Sequence, residues 1–451
     1  MPSEAVNDIA TAIAEHGVHT VELMTIDTYG HPRGKRVPAQ RFIDTVAEGG
    51  AHIADAIYVM DVQGEIVDSP LINMGTGFLD MHLEPELSTF RVLHHRPGYA
   101  TVMSTTMDHQ HQPHSLDPRN VLQAQIDRVR KLGYEPITAT ELECYLCNED
   151  WTPAQSNIQY SSLIDNFGLE RCLADMRTAL LDLDIPLESS NAEYGPGQVE
   201  INFAYGEPMR TADNTVLFKA TVKEIARNHG LRATFMPLPF AGQSGSGMHV
   251  HTSLNQDGRN VFGASDGDSD GHLLDDVFRH WVGGLVHHAR AISLMGIPFG
   301  NGYRRVRQYS FCPTHVHWGG DNRSVLCRCT VGQGQANRVE FRSGGADANP
   351  YLILAAILAA GADGLERQLD PGPEATGDQY EDPGDHPALP TTYAEGLEAF
   401  AGSELADALG ADFGTNFLAM VSSELSLHEA NATGGPDDVS DWEFARYVEF
   451  T

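Results

Sequence analysis

Four short stretches alternate apolar residues with Glu, His and Arg. Side chains two apart on a strand share a face, so in "MHVHTSL" His249, His251 and Ser253 point one way and Met248, Val250, Thr252 and Leu254 the other. "ELECYLC" sets Glu141, Glu143 and Tyr145 against Leu142, Cys144 and Leu146. "QVEINF" sets Gln198, Glu200 and Asn202 against Val199, Ile201 and Phe203, and "RVEFR" sets Arg338, Glu340 and Arg342 against Val339 and Phe341. A half-exposed antiparallel sheet also alternates. What separates these strands is residue type, because their polar faces carry Glu, His and Arg instead of mixed Thr, Ser, Lys and Gln.

Four such strands suggest one polar cleft. Glutamates 141, 143, 200 and 340, with Glu193 ahead in "NAEYGPGQVE", repel one another unless cations sit among them. Carboxylates with a single histidine make a hard, oxygen-dominated site, which favours Mg²⁺ or Mn²⁺ over zinc. Cys144 and Cys147 fall on opposite strand faces, and Cys327 and Cys329 have no partner pair, so zinc spacing is absent. Arg304, Arg305, Arg307, Arg323, Arg328, Arg338 and Arg342 are the complement. Guanidinium groups beside divalent cations suggest phosphoryl transfer, although an Arg-rich surface accounts for some of the seven. "GHPRGKR" is no Walker A loop and "GQGQAN" lacks a third glycine, so a nucleotide site must be of another kind.

The elements that must position these residues form an α+β chain. Residues 18–103 are rich in strand-like runs, "HTVELMTID", "AIYVMD" and "YATVMS", separated by the turn-like "TYGHPRG" and "HHRPG". The polar "MDHQHQPHSLDPRN" reads as a solvated linker leading into the amphipathic "VLQAQIDRVRKLG", which places a boundary near residue 107. Beyond it strands and helices mix, with Gly/Pro/Asp-rich surface insertions at 255–271 and 369–392. "YLILAAILAAGA" is too short to span a bilayer and suits a buried Ala-rich helix.

The chain has 451 residues, with 62 acidic against 29 basic and a formal charge of −33. Only Lys35, Lys131, Lys219 and Lys223 are lysines. Such an acidic, lysine-poor surface suits a high-salt cytoplasm and argues against a nucleic-acid partner; no membrane segment is expected. Six scattered cysteines and no signal pattern point to a reduced, cytoplasmic protein.

Taken together, "DPRNVL", "ELECYL", "NAEYGPGQVEINFA", "ATFMPLPFAGQSGSGMHVHTSL", "NGYRR", "DNRSVLCR" and "NRVEFRSGGADANPYLILAA" resemble the glutamine synthetase family, in its order and over nearly the whole chain. The resemblance implies an N-terminal β-grasp domain (1–107) and a larger catalytic domain (108–451) with a curved antiparallel sheet flanked by helices. It also implies a homododecamer or another ring with active sites between subunits, and a reaction in which ATP activates glutamate as γ-glutamyl phosphate for attack by an amine.

By the same resemblance, Glu143, Glu193 and Glu200 match the ligands of one divalent ion, and Glu141, His249 and Glu340 those of a second, Mg or Mn. Arg305 and Arg342 match positions that hold glutamate, with Gly245, Tyr160 and Phe311 in the substrate set. Arg323, Arg328 and Arg338 match positions that bind phosphates and stabilise the transferring group. His251 and Ser253 match the nucleotide-facing pair, and Arg323, Asp61 and Glu193 carry catalytic roles.

The departures bear on the acceptor. Phe311 stands where ammonia-using members carry a flap glutamate that closes the site and takes the ammonium proton, and it can do neither acid–base task. "MDVQG" replaces an Asp-Gly-Ser-Ser stretch, so Asp61 is left as the stand-in for the ammonium-binding aspartate. Ser244 replaces an Asn, Leu238 a Lys, "GQANR" lacks a lysine near the phosphates, and no adenylylation tyrosine motif is recognisable in 369–392. The favoured reading is a glutamate–amine ligase for a polyamine, monoamine or ethanolamine. An ordinary glutamine synthetase and a non-catalytic binding or regulatory paralogue are the alternatives.

Overall fold

The computed structural model describes residues 3–158, 160–164, 168–263, 274–435 and 438–451. Its first sheet is built from β1 (Thr20–Ile26), β2 (Pro32–Pro38), β3 (Ala51–Ala54), β4 (Asp80–Pro85), β5 (Arg91–Val92) and β6 (Tyr99–Met107). The order is β2-β1-β6-β4-β3, with β1 and β6 parallel, the other pairs antiparallel and β5 hydrogen-bonded to β6. The helix Glu4–Glu15, capped by the Ser3 side chain, packs Val6, Ile9 and Ile13 with Phe42 and Val46 onto Val21, Leu23, Ala100 and Val102. A hairpin, a helical connection over residues 39–49 and a parallel central pair are the β-grasp arrangement.

Two expectations for this region are overturned. "AIYVMD" lies in a 3₁₀ turn, Asp55–Val59, instead of a strand. Ile57, Tyr58 and Val59 are all buried in succession, which a period-2 strand facing one core cannot achieve, and Tyr58 reaches Thr106 Oγ1 at 2.7 Å. The segment beginning in "TYGHPRG" continues into strand β2, whose charged residues and terminal prolines mark an edge. The linker reading holds in part: His109 and His111 are exposed, but His114 is half-buried against the Tyr58 ring, 5.1 Å between centroids.

The second sheet contains β7 (Glu135–Cys147), β8 (Leu187–Ala192), β9 (Gln198–Phe203), β10 (Arg232–Thr234), β11 (Met248–Gln256), β12 (Arg259–Asn260), β13 (Trp318–Gly320), β14 (Cys327–Thr330) and β15 (Arg338–Phe341). Its order is β13-β14-β15-β11-β7-β9-β8, antiparallel except for β13–β14. The alternation works as read. Leu142, Cys144, Val199, Ile201, Met248, Val250, Val339 and Phe341 face the main core under helices Pro118–Lys131, Pro208–Asn228, Asp276–Gly296 and Pro350–Arg367. Two of these helices start with an Asx cap followed by Pro at the first helical position: Asp117 accepts from Arg119 N, and Asn349 from Tyr351 N. The Asn349 Nδ2 also donates to Asp27 O and Thr28 O, tying the second sheet's helix layer to the turn between β1 and β2.

All six cysteines are buried and free. Among the described residues no helix is long and apolar enough to cross a membrane. Residues 264–271 of the expected 255–271 insertion lie outside the described residues.

Candidate active site

Strand register brings the polar faces together. His249 is opposite Glu141 and His251 opposite Ala139 across β11–β7; Glu143 is opposite Glu200 across β7–β9; Glu340 is opposite His251 across β15–β11 and Arg328 across β14–β15. The cleft has two electrostatically different halves.

In the first half Glu143 and Glu200 face each other with Glu193 at the end of the adjoining loop. Glu143 Oε2 accepts from Gly247 N at 2.8 Å and from Gln198 Nε2 at 3.2 Å. Glu200 accepts from Asn202 Nδ2 at 2.9 Å, and Glu193 from Asn191 Nδ2 at 2.8 Å. Burial, then the neighbouring Glu200 and Glu193, push Glu143 up to about 8. Burial and then Glu141 push Glu200 up to about 7, and burial raises Glu193. Three acceptors that repel one another in a pocket suit a hard divalent cation.

In the second half the carboxylates already have partners. Glu340, 2% exposed, accepts from Arg328 Nη1 at 2.7 Å and from Arg342 Nη1. Burial raises Glu340, but Arg342 and the two histidines outweigh it and hold the carboxyl well down, at about 2. Burial also acts upward on Glu141, and contacts from His249 and His251 leave it far below the usual range.

The histidines are not equivalent. Arg338 Nε donates to His251 Nδ1 at 3.2 Å, which puts the proton of the neutral ring on Nε2. That atom lies 2.9 Å from Glu141 Oε1, within ion-contact distance but off the line of a good hydrogen bond. His249 Nδ1 stands 3.4 Å from Glu141 and 3.5 Å from Glu340. Ligand-type atoms of Glu141, His251 and Glu340 also lie within 4.8 Å of one another, so distance alone does not separate the two rings. The lone pair does: that of His251 Nδ1 is taken by Arg338, and that of His249 remains for a cation.

Arg305 and Arg342 are 4% and 3% exposed, and each has a buried Nε without a partner. Donors of this kind suit a carboxylate ligand. Arg305 Nη1 donates to Gly344 O at 3.0 Å, and its side chain runs beneath Gly245, where a Cβ would fall 2.6 Å from Arg305 Cγ. Gly245 therefore makes room for the guanidinium. Arg328 is steadied by Asp321, Nε to Oδ1 3.0 Å. Arg323 is exposed and within electrostatic reach of Glu193, and Ser253 is half-buried further along β11. Arg304 belongs to structure: it pairs with Glu443 at 2.9 Å, inside the capping box of the helix Asp441–Tyr447.

Asp61 is not among the residues gathered in the cleft. Its Oδ1 accepts from Gln63 N and Glu65 N, and its Oδ2 pairs with Arg446 at 2.9 Å, so within its own chain it holds a turn and a buried ion network with Glu424. Tyr160 sits in a turn with its ring exposed.

Three features escaped the sequence reading. Gln198 Nε2 also reaches Gly245 O at 3.1 Å and Ser246 Oγ at 3.2 Å, so it fixes Glu143 relative to the "GSGMHVH" turn. Tyr194, next to Glu193, meets Phe311 edge to face, 5.4 Å between centroids, with both rings about half exposed. Phe311 holds a left-handed backbone, φ 63°, an unfavourable conformation for a bulky residue and a common mark of functional loops. The 369–392 insertion supports this loop: Gln308 donates to Tyr380 O at 2.9 Å, and the Tyr380 hydroxyl to Cys312 O at 3.0 Å.

With this geometry in view, residues 115–447 match the description of the glutamine synthetase catalytic domain. The chain belongs to the glutamine synthetase family. Within the family it is 33% identical to the glutamate–isopropylamine ligase of a Pseudomonas species, over 97% of this chain and 96% of that one. It is 32% identical to the gamma-glutamylethanolamide synthetase of Streptomyces coelicolor (99% and 96%), and 34% identical to the glutamine synthetase of Thermus thermophilus (82% and 85%). The solved structure of GmaS with ADP superposes with a TM-score of 0.82 at 28% identity, covering 97% of this chain and 98% of that chain. These likenesses bear out the α+β fold and a ligase of the glutamate–amine or glutamate–ammonia type.

Proposed function

We propose that this protein joins an amine larger than ammonia to the γ-carboxyl of glutamate, using ATP and passing through γ-glutamyl phosphate. The observation that carries the acceptor assignment is the Tyr194–Phe311 pair, an apolar surface where an acid–base flap residue would serve ammonia. An alkyl chain gains by burial against such rings, roughly 25 cal/mol per Å² of apolar area removed from water. Relatives named for isopropylamine and ethanolamine support the same reading.

Arg305 and Arg342 hold the carboxylates of glutamate, and Arg323, Arg328 and Arg338 bind phosphate oxygens and stabilise the transferring group. His251 and Ser253 face the nucleotide. Glu143, Glu193 and Glu200, and separately Glu141, His249 and Glu340, would hold divalent ions, Mg²⁺ or Mn²⁺, and the donor chemistry of both halves fits them. When bound, those ions supply positive charge to the phosphoryl oxygens as negative charge builds there. Glu193, raised by burial and next in sequence to Tyr194, would take the proton that the alkylammonium group loses, and the free amine so formed attacks the γ-glutamyl phosphate and displaces phosphate.

The division at residue 107, the ring assembly with sites between subunits, and the high-salt cytoplasm belong to this reading. In such a ring, Asp61 and Tyr160 would serve through their place at subunit contacts.

The test is turnover of a panel of amines with ATP and glutamate, for the parent and for Phe311→Glu. Activity with alkylamines or ethanolamine, and a gain of ammonia use by the variant, are expected. Turnover of the parent with ammonia alone would return the protein to the ordinary glutamine synthetases, which are equally similar in sequence.

A further inference from the structure

Three of the four lysines in this strongly acidic chain line a single cleft. The cleft, about 930 Å³, runs between the β1–β2 hairpin and the helix Pro208–Asn228. Seven of its lining residues are Lys or Arg, against three Asp or Glu. Scattered basic residues on a surface of charge −33 would pair with the surplus carboxylates, so a positive concavity has to be maintained against the composition.

Part of this charge is paired: Arg33 Nε meets Asp27 Oδ2 at 2.9 Å. Arg36 and Arg96 share Glu22, at 2.7 and 2.9 Å, and Arg96 also reaches Glu224. By contrast, Lys219 Nζ donates to a carbonyl, Ala348 O, at 3.1 Å, and Lys223 Nζ to Glu449 O and Phe450 O at 2.9 and 3.2 Å. Among the described residues no carboxylate lies within ion-pair distance of Lys35, Lys219, Lys223 or Arg227. Asp347, 4% exposed, lines the cleft with both carboxylate oxygens lacking hydrogen-bond partners. Burial raises Asp347, against the pull of the neighbouring Lys219 and Arg305, so it offsets the lysines only in part. Burial, then Lys219 and Arg227, lower Lys223 to about 7, a shift that an anion bound beside it would reverse.

We infer that this cleft binds a small polyanionic metabolite, with Lys35 on β2 and Lys219, Lys223 and Arg227 on the opposite helix gripping its charged groups from two walls. The volume suits a compound larger than a simple inorganic ion. Phosphorylated and polycarboxylate compounds share the required chemistry.

The test titrates the assembled enzyme calorimetrically with inorganic pyrophosphate and, separately, with citrate. Parent, Lys35→Gln/Arg227→Gln and Arg338→Gln are compared. Both cleft positions are exposed, one on each wall, so the double variant should fold and keep its ligase activity. The inference expects one probe to bind the parent with a Kd under about 1 mM, about tenfold more weakly to the double variant, and unchanged to Arg338→Gln. Pyrophosphate as the responding probe identifies phosphate chemistry; citrate identifies carboxylate chemistry. Binding by neither anion, binding indifferent to the double substitution, or binding lost with Arg338→Gln would each overturn the inference.

Discussion

The two halves of the active-site cleft use the same residue, glutamate, in opposite ways. Glu143 and Glu200 sit opposite each other on adjacent strands with amide donors and, among the described residues, no ion pair, and both hold protons into the neutral range. Glu340, two strands away from Glu143, accepts from two guanidinium groups and stays ionised to low pH. Directly opposed like charges weaken a sheet, so the first half is a site left incomplete by the chain alone, and the second is neutralised by the chain. A glutamate's function here is therefore set by the partner its strand register supplies.

The strongest way to break this comparison is to apply the same substitution to both halves. Glu200→Gln and Glu340→Gln should each lower kcat by about 10²–10³-fold, as expected when a group that organises transition-state charge is lost. Their effects on the metal-free fold should have opposite signs. Glu340→Gln leaves the buried Arg342 guanidinium without its anion, while Arg328 keeps Asp321, and should destabilise by about 3 kcal/mol. Glu200→Gln removes a repulsion and should raise the melting temperature. Chemical denaturation in EDTA reads both, and equal loss in the two variants would erase the distinction.

The pH dependence separates the halves next. Glu143 and Glu200 have folded-state values above those of the unfolded chain, so folding favours their protonated forms, and stability present below about 4.3 is lost as pH rises through 7 to 8. Glu340 is depressed, so its contribution is present above about 4.3 and lost as pH falls towards 2. In EDTA the melting temperature should decline from pH 5 to 9, and Mg²⁺ or Mn²⁺ should flatten that decline. A flat profile without metal would mean the first half is not electrostatically strained.

How much of this was legible in the sequence follows from which contacts are local. The alternation in β7, β9, β11 and β15 exposed the faces, because a strand's period is fixed by its backbone, and resemblance supplied the pairing. Edge strand β2 was missed because its middle is Gly34, Lys35 and Arg36, with no apolar face to read. The 3₁₀ turn at Asp55–Val59 was missed because its apolar run is buried all round, which periodicity cannot assign. Tyr194 and the 369–392 support escaped notice because their partners lie more than 50 residues away along the chain. Gln198 was placed on the correct face, yet its task is set by the Gly245–Gly247 turn, whose path depends on Arg305.

Smaller effects sharpen the picture around the substrate. Gly245→Ala would press a Cβ against Arg305 and should raise the KM for glutamate while leaving the KM for ATP near the parent value. An equal rise in both would point to a general disturbance of the β11 turn. Tyr194→Ala should raise the KM for an alkylamine several-fold, in line with about 1 kcal/mol for an aromatic contact, with little change for glutamate.

The finest distinction lies between the two histidines, which share a strand face and both approach Glu141. If Arg338 occupies the His251 lone pair, His249→Ala should raise the Mg²⁺ or Mn²⁺ concentration needed for half-maximal activity, and His251→Ala should chiefly raise the KM for ATP. Arg338→Gln tests the cause, because freeing His251 Nδ1 gives the cleft a second available imidazole. In that background His249→Ala should cost less in metal affinity than it does in the parent. An identical metal shift in both backgrounds would show that position along β11, and not the hydrogen bond from Arg338, assigns the two rings.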